Sequence, residues 1–407
     1  MPDNTLFGIL SFSKTLAFIL CIALQFVNHS AFSQNSQKLK TDLANKPKEE
    51  KTKVSLRDTV TGAIDLSDMI YNARGFMPIP IIVTEPAVGY GGGLAILYLL
   101  PQKKKYDRYI PPNIYGVMGL GTQNKTWLVG GLAFKVWGPD KVRYTGAIAK
   151  PVIHIKYYGN NNEYLSENPV ELELNSWAII QRAQVRLGDT KLFVGGSYIY
   201  FNSENSVNTL PDKPVINKII KKLDGKSTLS MLQAIVNWDS RNTIFSPTKG
   251  INTGVQFTYN ATWLGGDSDF YKLNPYFLGY LPVSKKVFSG WRFDASFMFG
   301  DAPYYVLPFV QLRGVPSMQY QSDNTMVVET QWDFVVYKRW KLDVFTGLGK
   351  AFTGFNQFGA ATLVYNSGIG FRNLMASAFG LDMGMDFAFS NNGEFAFYMI
   401  VGSAWNK

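Results

Sequence analysis

His154 is the only histidine after His29, and it limits the nucleophilic chemistry open to this chain. A hydrolase of the serine type needs a histidine beside its nucleophile and a third group to orient the ring. No local motif around Pro151–Tyr158 supplies those partners, so His154 reads as an ordinary strand residue. The single cysteine, Cys21, lies near the N-terminus, which leaves no thiolate for catalysis or metal binding in the rest of the chain. Asp239, Asp294, Glu329, Asp333, Asp382 and Asp386 are residues of the kind that form acid–base pairs or hold a hard cation. Arg241, Arg292, Arg313 and Arg372 offer the simpler account, which is salt bridging. Gly89-Tyr90-Gly91-Gly92-Gly93 lacks the Lys-Ser/Thr that completes a phosphate loop. The residues therefore imply no catalytic group, no metal site and no cofactor.

The acids and arginines sit on segments that alternate. In Gly290–Gly300, Trp291, Phe293, Ala295, Phe297 and Phe299 alternate with Arg292, Asp294, Ser296 and Met298. In Val328–Val336, Val328, Thr330, Trp332, Phe334 and Val336 alternate with Glu329, Gln331, Asp333 and Val335. Successive side chains of a strand point to opposite faces, so each segment has one apolar face and one polar face. Trp177, Ile179, Ala183, Val185 and Leu187 likewise oppose Arg182, Gln184 and Arg186. An arginine facing lipid at mid-membrane costs about 2–4 kcal/mol, whereas a wet lumen accepts it. The charged face is therefore expected to line the lumen of a barrel. The long loop between the first two segments carries Leu312-Arg313-Gly314-Val315. If it folds inward, Arg313 is expected to meet Glu329 and Asp333.

Sixteen strand-like segments follow one another from 78–86 to 394–405, with tight and long connections alternating. The predicted fold is all-β: a transmembrane antiparallel barrel of about sixteen strands over 77–407, an even number as single-chain outer-membrane barrels have. A soluble sandwich would also alternate, but the export signal argues against it. Lys14 and the apolar run Thr15–Val27 precede Ala31-Phe32-Ser33, so residues 1–33 read as a cleaved secretory signal. Residues 34–76 begin rich in Lys, Asn, Gln and Glu, and read as a short, partly disordered periplasmic segment. Charged residues make up 17% of the chain, with 40 Lys+Arg against 30 Asp+Glu. The scattered excess of base suits anionic lipid better than nucleic acid. Trp405 is expected in the aromatic belt of the last strand.

Three stretches together resemble the BamA/TamA outer-membrane assembly family, the bacterial surface antigen superfamily. Leu312-Arg313-Gly314-Val315 resembles its loop motif, with Val315 in place of the motif's aromatic residue. Asp239 and Arg241, followed by Pro247 and Gly250, resemble its turn. Gly368, Gly370 and Arg372, followed by Asp382 and Gly384, resemble its C-terminal strand pair. The resemblance implies a weak seam between the first and last strands, and a loop arginine tied to lumen carboxylates, here Glu329. Gly347 stands where the family usually has an aspartate, which removes one expected partner. The periplasmic POTRA array of the family is not recognised here. The implied role is insertion or translocation of proteins or lipids at the outer membrane. Outer-membrane lipid, unfolded barrel clients or a periplasmic protein would be the partners. A passive porin-like channel for small solutes is the alternative. Pro78, Pro80 and Pro86 make the first strand a poor ladder donor.

Overall fold

A computed structural model describes residue 65 and residues 76–83, 88–100, 113–157, 164–165, 168–207, 223–243, 245–377, 380–391 and 393–405. The expected signal, and the polar segment apart from Asp65, lie outside the described residues. The strands are β1 (Phe76–Val83), β2 (Gly91–Leu100), β3 (Asn113–Thr122), β4 (Trp127–Trp137), β5 (Val142–Tyr157), β6 (Val170–Arg186), β7 (Leu192–Val207) and β8 (Gly225–Asp239). They continue with β9 (Gly250–Asn260), β10 (Phe270–Pro282), β11 (Val287–Gly300), β12 (Asn324–Tyr337), β13 (Trp340–Phe352), β14 (Val364–Ala376), β15 (Leu381–Ser390) and β16 (Phe395–Val401).

Each strand pairs antiparallel with its sequence neighbours, giving one sixteen-stranded sheet in chain order. With an even number of strands, the lead-in to β1 and the tail after β16 lie at the same mouth. The even-to-odd turns share that mouth, and several are tight. Lys338-Arg339 alone joins β12 to β13, where Tyr337 pairs with Trp340. The longer connections, such as Asp301–Asp323, lie at the other end.

The outward face is apolar, as the alternation predicts: Val117, Val129, Ile148, Trp291, Val328, Val344 and Ile369 are all exposed. The lumen is not uniformly polar, and here the structure departs from the expectation. On β8 to β15 the inward positions carry Asn, Gln, Arg, Asp and Glu, but on β1 to β5 they carry Ile79, Ile81, Ala95, Leu97, Met118, Leu128, Leu132 and Ala147, all buried. These residues belong to one cluster that also takes in Leu165, Leu223, Tyr304, Tyr305, Val306 and Leu307 from the far loops. Both faces of the early strands are therefore apolar, which is why sequence alternation fades there.

The strands β5 to β8 run 15 to 17 residues, against 10 or 11 for β2 to β4. A membrane crossing needs only about 9–11 residues, so these four project beyond the bilayer. Polarity inverts along them without any change of parity. Near the turns, β6 turns Arg182, Gln184 and Arg186 inward and exposes Val185 to lipid. Beyond Trp177 the outward positions become Asn175, Glu173 and Glu171, while Leu174 and Leu172 are buried inside. Polar and charged residues then face each other across the ladder: His154 with Glu173, Lys156 with Glu171, and Glu204 with Lys226. Such cross-strand pairs suit water rather than hydrocarbon, which places the membrane boundary near Trp177.

Candidate functional site: the loop arginine and the lumen charge network

The connection from β11 to β12 folds into the barrel because much of it is apolar. Tyr304 to Val310, Leu312, Val315 and Met318 are all buried. The Tyr304 hydroxyl donates to the Leu223 carbonyl at 3.1 Å and accepts from the Asn205 amide at 3.2 Å. The Tyr305 hydroxyl bonds Ser227. Burial pushes both phenols up from their usual pKa, so they stay neutral in this role. Within the loop, Val310 N donates to Tyr320 O at 2.9 Å and Ser322 N to Pro308 O at 3.1 Å, so two arms run side by side.

Arg313 stands at the end of this fold. Its Nε donates to Glu329 Oε1 at 3.0 Å. Its Nη1 donates to Asp386 Oδ2 at 2.7 Å and to Gln331 Oε1 at 2.9 Å. The guanidinium lies over the Phe345 ring, 3.5 Å from its centroid. Burial alone would lower its pKa, but Glu329 and Asp386 outweigh that and hold it above the usual arginine value. The loop backbone is held as well, since Asn366 Nδ2 donates to Arg313 O at 2.8 Å and Gly314 N to the Tyr398 hydroxyl at 2.9 Å.

Glu329 is the hub. Besides Arg313 it accepts from Arg292 Nη1 at 3.1 Å, Trp405 Nε1 at 2.6 Å and Asn366 Nδ2 at 3.3 Å, with its side chain wholly out of solvent. Arg292 also bonds Asp294. Asp386 passes the chain of charges to Arg372 at 2.6 Å, and Asp343 stands 3.3 Å from the same guanidinium. Asp382 pairs with Lys341. Each charge buried here has an opposite charge within reach, as buried ions require.

Arg313 thus meets Glu329 but not Asp333, which accepts from Gln331 at 2.8 Å instead. Asp333 lies four residues further along β12, roughly 13 Å by strand rise. The carboxylate absent at Gly347 is supplied by Asp386 from β15. The bare glycine has another use: a Cβ there would stand 2.6 Å from Leu312 Cδ2, so Leu312 fills the space. Gly368 does the same for the Phe345 ring, where a Cβ would come within 2.2 Å of Cζ. Phe345 in turn gives the arginine the aromatic face that Val315 does not. Asp239 and Arg241 form a two-pronged pair at 2.9 and 3.0 Å in the β8–β9 turn, closed by Gly250 at φ +105°. Pro247 lies buried in that turn, and Ser246 Oγ accepts from Asp382 N at 3.0 Å, joining it to β15. Of the remaining motif residues, Gly370 leaves room for the Asp343 and Asp386 carboxylates, and Gly384 packs against the Phe371 carbonyl.

Trp405 is not in an outer belt. β16 ends at Val401, the chain turns inward at Gly402 (φ +81°), and the indole is buried against Leu278 and Tyr280. The inward turn rather than the strand register decides its side, so alternation could not have found it. Trp405→Phe should keep this packing but lose the bond to Glu329, costing about 1.5–3 kcal/mol, as for a hydrogen bond to a charged group. A urea titration against wild type measures it. His154, far from this network, faces outward with Nε2 3.3 Å from Glu173.

Residues 157–312 match the Omp85 superfamily domain. The fold is similar to BamA from Haemophilus ducreyi lacking POTRA domains 1-3, at 10% identity and TM-score 0.54, over 80% of this chain and 69% of that one. It is also similar to CdiB from Escherichia coli, at 9% identity and TM-score 0.56, over 80% of this chain and 62% of that one. CdiB from Acinetobacter baumannii matches at 11% identity and TM-score 0.52, over 81% and 59%. The chain spans about three fifths of the length of these CdiB chains. No curated protein matches the sequence. The domain match covers residues 157–312, and the fold is similar to those of the BamA and CdiB barrels.

Proposed function

We propose that this Omp85-type barrel loosens the outer membrane at its seam and so assists the insertion or translocation of proteins or lipids. The supporting observation is the seam itself. β1 and β16 are the two ends of the ladder, and no register joins them among the described residues. Proline has no N–H, and alternate residues of an antiparallel strand address alternate neighbours, so Pro78 and Pro80 leave their deficits on the same edge. β2 is laddered along the whole of β1, which turns that edge to the seam. Side-chain contacts hold the gap instead. Tyr90 stacks on Phe397 of β16 with centroids 6.0 Å apart. Asp65, from the chain before β1, accepts from Arg339 at 2.9 Å and Ser377 at 2.6 Å, on turns of the C-terminal strands.

The buried loop and its charge network brace the wall beside the seam and occupy the lumen, which favours a lateral route over a passive pore. In liposomes holding the purified barrel, an unfolded barrel client should insert faster than in empty liposomes, with little steady ion conductance. Steady conductance without faster insertion would overturn the reading.

A further inference from the structure

We propose that the mouth where β1 begins and β16 ends carries a lysine collar that binds the anionic phospholipid headgroups of the surrounding leaflet. Lys141, Lys191, Lys249, Lys285, Lys286 and Lys338 are all exposed in the even-to-odd turns, and none makes an ion pair among the described residues. Of the acids in the same turns, Asp140 is buried with Arg143 and Arg186, and Asp239 with Arg241, while Asp189 lies at the surface. The opposite loops have the reverse balance. Among their described residues Asp224, Asp267, Asp269, Asp301, Asp323 and Glu394 face a single lysine, Lys125. Among the described residues of the connections, lysine is therefore concentrated at one end and acid at the other. Ordinary solubilising lysines would not sort themselves in this way.

Lipid is favoured over an acidic protein by where the ammonium groups sit. Lys338 Nζ lies 5.2 Å from the Tyr337 ring and Lys135 Nζ 5.3 Å from the Trp137 ring. Tyr337 and Trp137 are exposed on the outward wall, so these cations lie on the lipid-facing perimeter rather than beneath the opening. Aromatic rings of this girdle mark the headgroup level, and a basic side chain beside a phosphate layer is attracted to it. Lys338 also holds a positive φ of 46°, a conformation that asparagine or glycine adopts more readily. Lysine at that point is thus chosen against local backbone preference.

The test uses the intact barrel in liposomes, with tryptophan fluorescence quenched by brominated phosphatidylglycerol or brominated phosphatidylcholine. Wild type should prefer phosphatidylglycerol roughly fivefold at low salt, the attraction of about one lysine at an anionic surface, and lose the preference as salt shortens the Debye length. Combining Lys141→Gln, Lys191→Gln, Lys285→Gln, Lys286→Gln and Lys338→Gln should bring the two lipids to parity while heat-modifiability stays wild type. Equal quenching in wild type, or a preference that survives the substitutions, would overturn the proposal. So would an acidic protein retained by wild type alone without any lipid preference. The readout does not involve client insertion, so it stands or falls apart from the seam reading.

Discussion

Glu329→Ala is expected to destabilise the barrel by about 3–5 kcal/mol, the usual cost of removing one partner from a buried ion pair. The size follows from what is left behind. Arg313 and Arg292 both donate to this carboxylate, and so do Trp405 and Asn366. Removing it strands two guanidinium groups where water reaches poorly, each retaining one other acid: Asp386 for Arg313 and Asp294 for Arg292. Arg313→Ala should cost less, because Glu329 keeps Arg292 and the indole. The double variant should fall well short of additivity, since both substitutions break the same network. Urea titration of the refolded barrel, alongside loss of heat-modifiability, checks all three. A wild-type midpoint for Glu329→Ala would mean that the loop is held by its apolar contacts, Leu312 and Val310 against the glycines of β13, and that the charges are incidental.

Pro78→Val with Pro80→Val is expected to act in the opposite direction on stability and to depress function. Two N–H donors would return to the edge of β1 that faces β16. A net gain of about 1 kcal/mol per hydrogen bond would stabilise the closed seam, with more where lipid excludes water. If clients insert through the seam, a closure of roughly 1.4 kcal/mol slows insertion about tenfold. The barrel would then be more resistant to urea yet less active, a combination that simple damage to the fold cannot produce. Unchanged insertion in a stabilised variant would exclude the seam as the route.

Strand number, order and parity were legible in the sequence. Side-chain alternation has a period of two that survives any packing, and a crossing strand must reach a minimum length. Arg182, Gln184 and Arg186 share a face with Leu172 and Leu174 in the structure as they do by counting. The loop motif and Glu329 were legible for a related reason, since a guanidinium carried inward needs a carboxylate and β12 follows directly. What counting could not reach were contacts closed by the barrel itself. Asp386 lies 73 positions from Arg313, and Trp405 arrives at Glu329 only because the tail turns inward after β16. The apolar inner wall of β1 to β5 escaped notice because both of its faces are apolar, and only the far loops packed on it show which face is inside. The lysines and acids could be counted in the chain, and strand parity assigns each turn to its mouth; which of the acids are neutralised there took the structure to show. Local alternation thus determined the strands and their faces. Tertiary closure decided which faces meet, because a barrel brings together residues whose separation in sequence carries no signal of their contact.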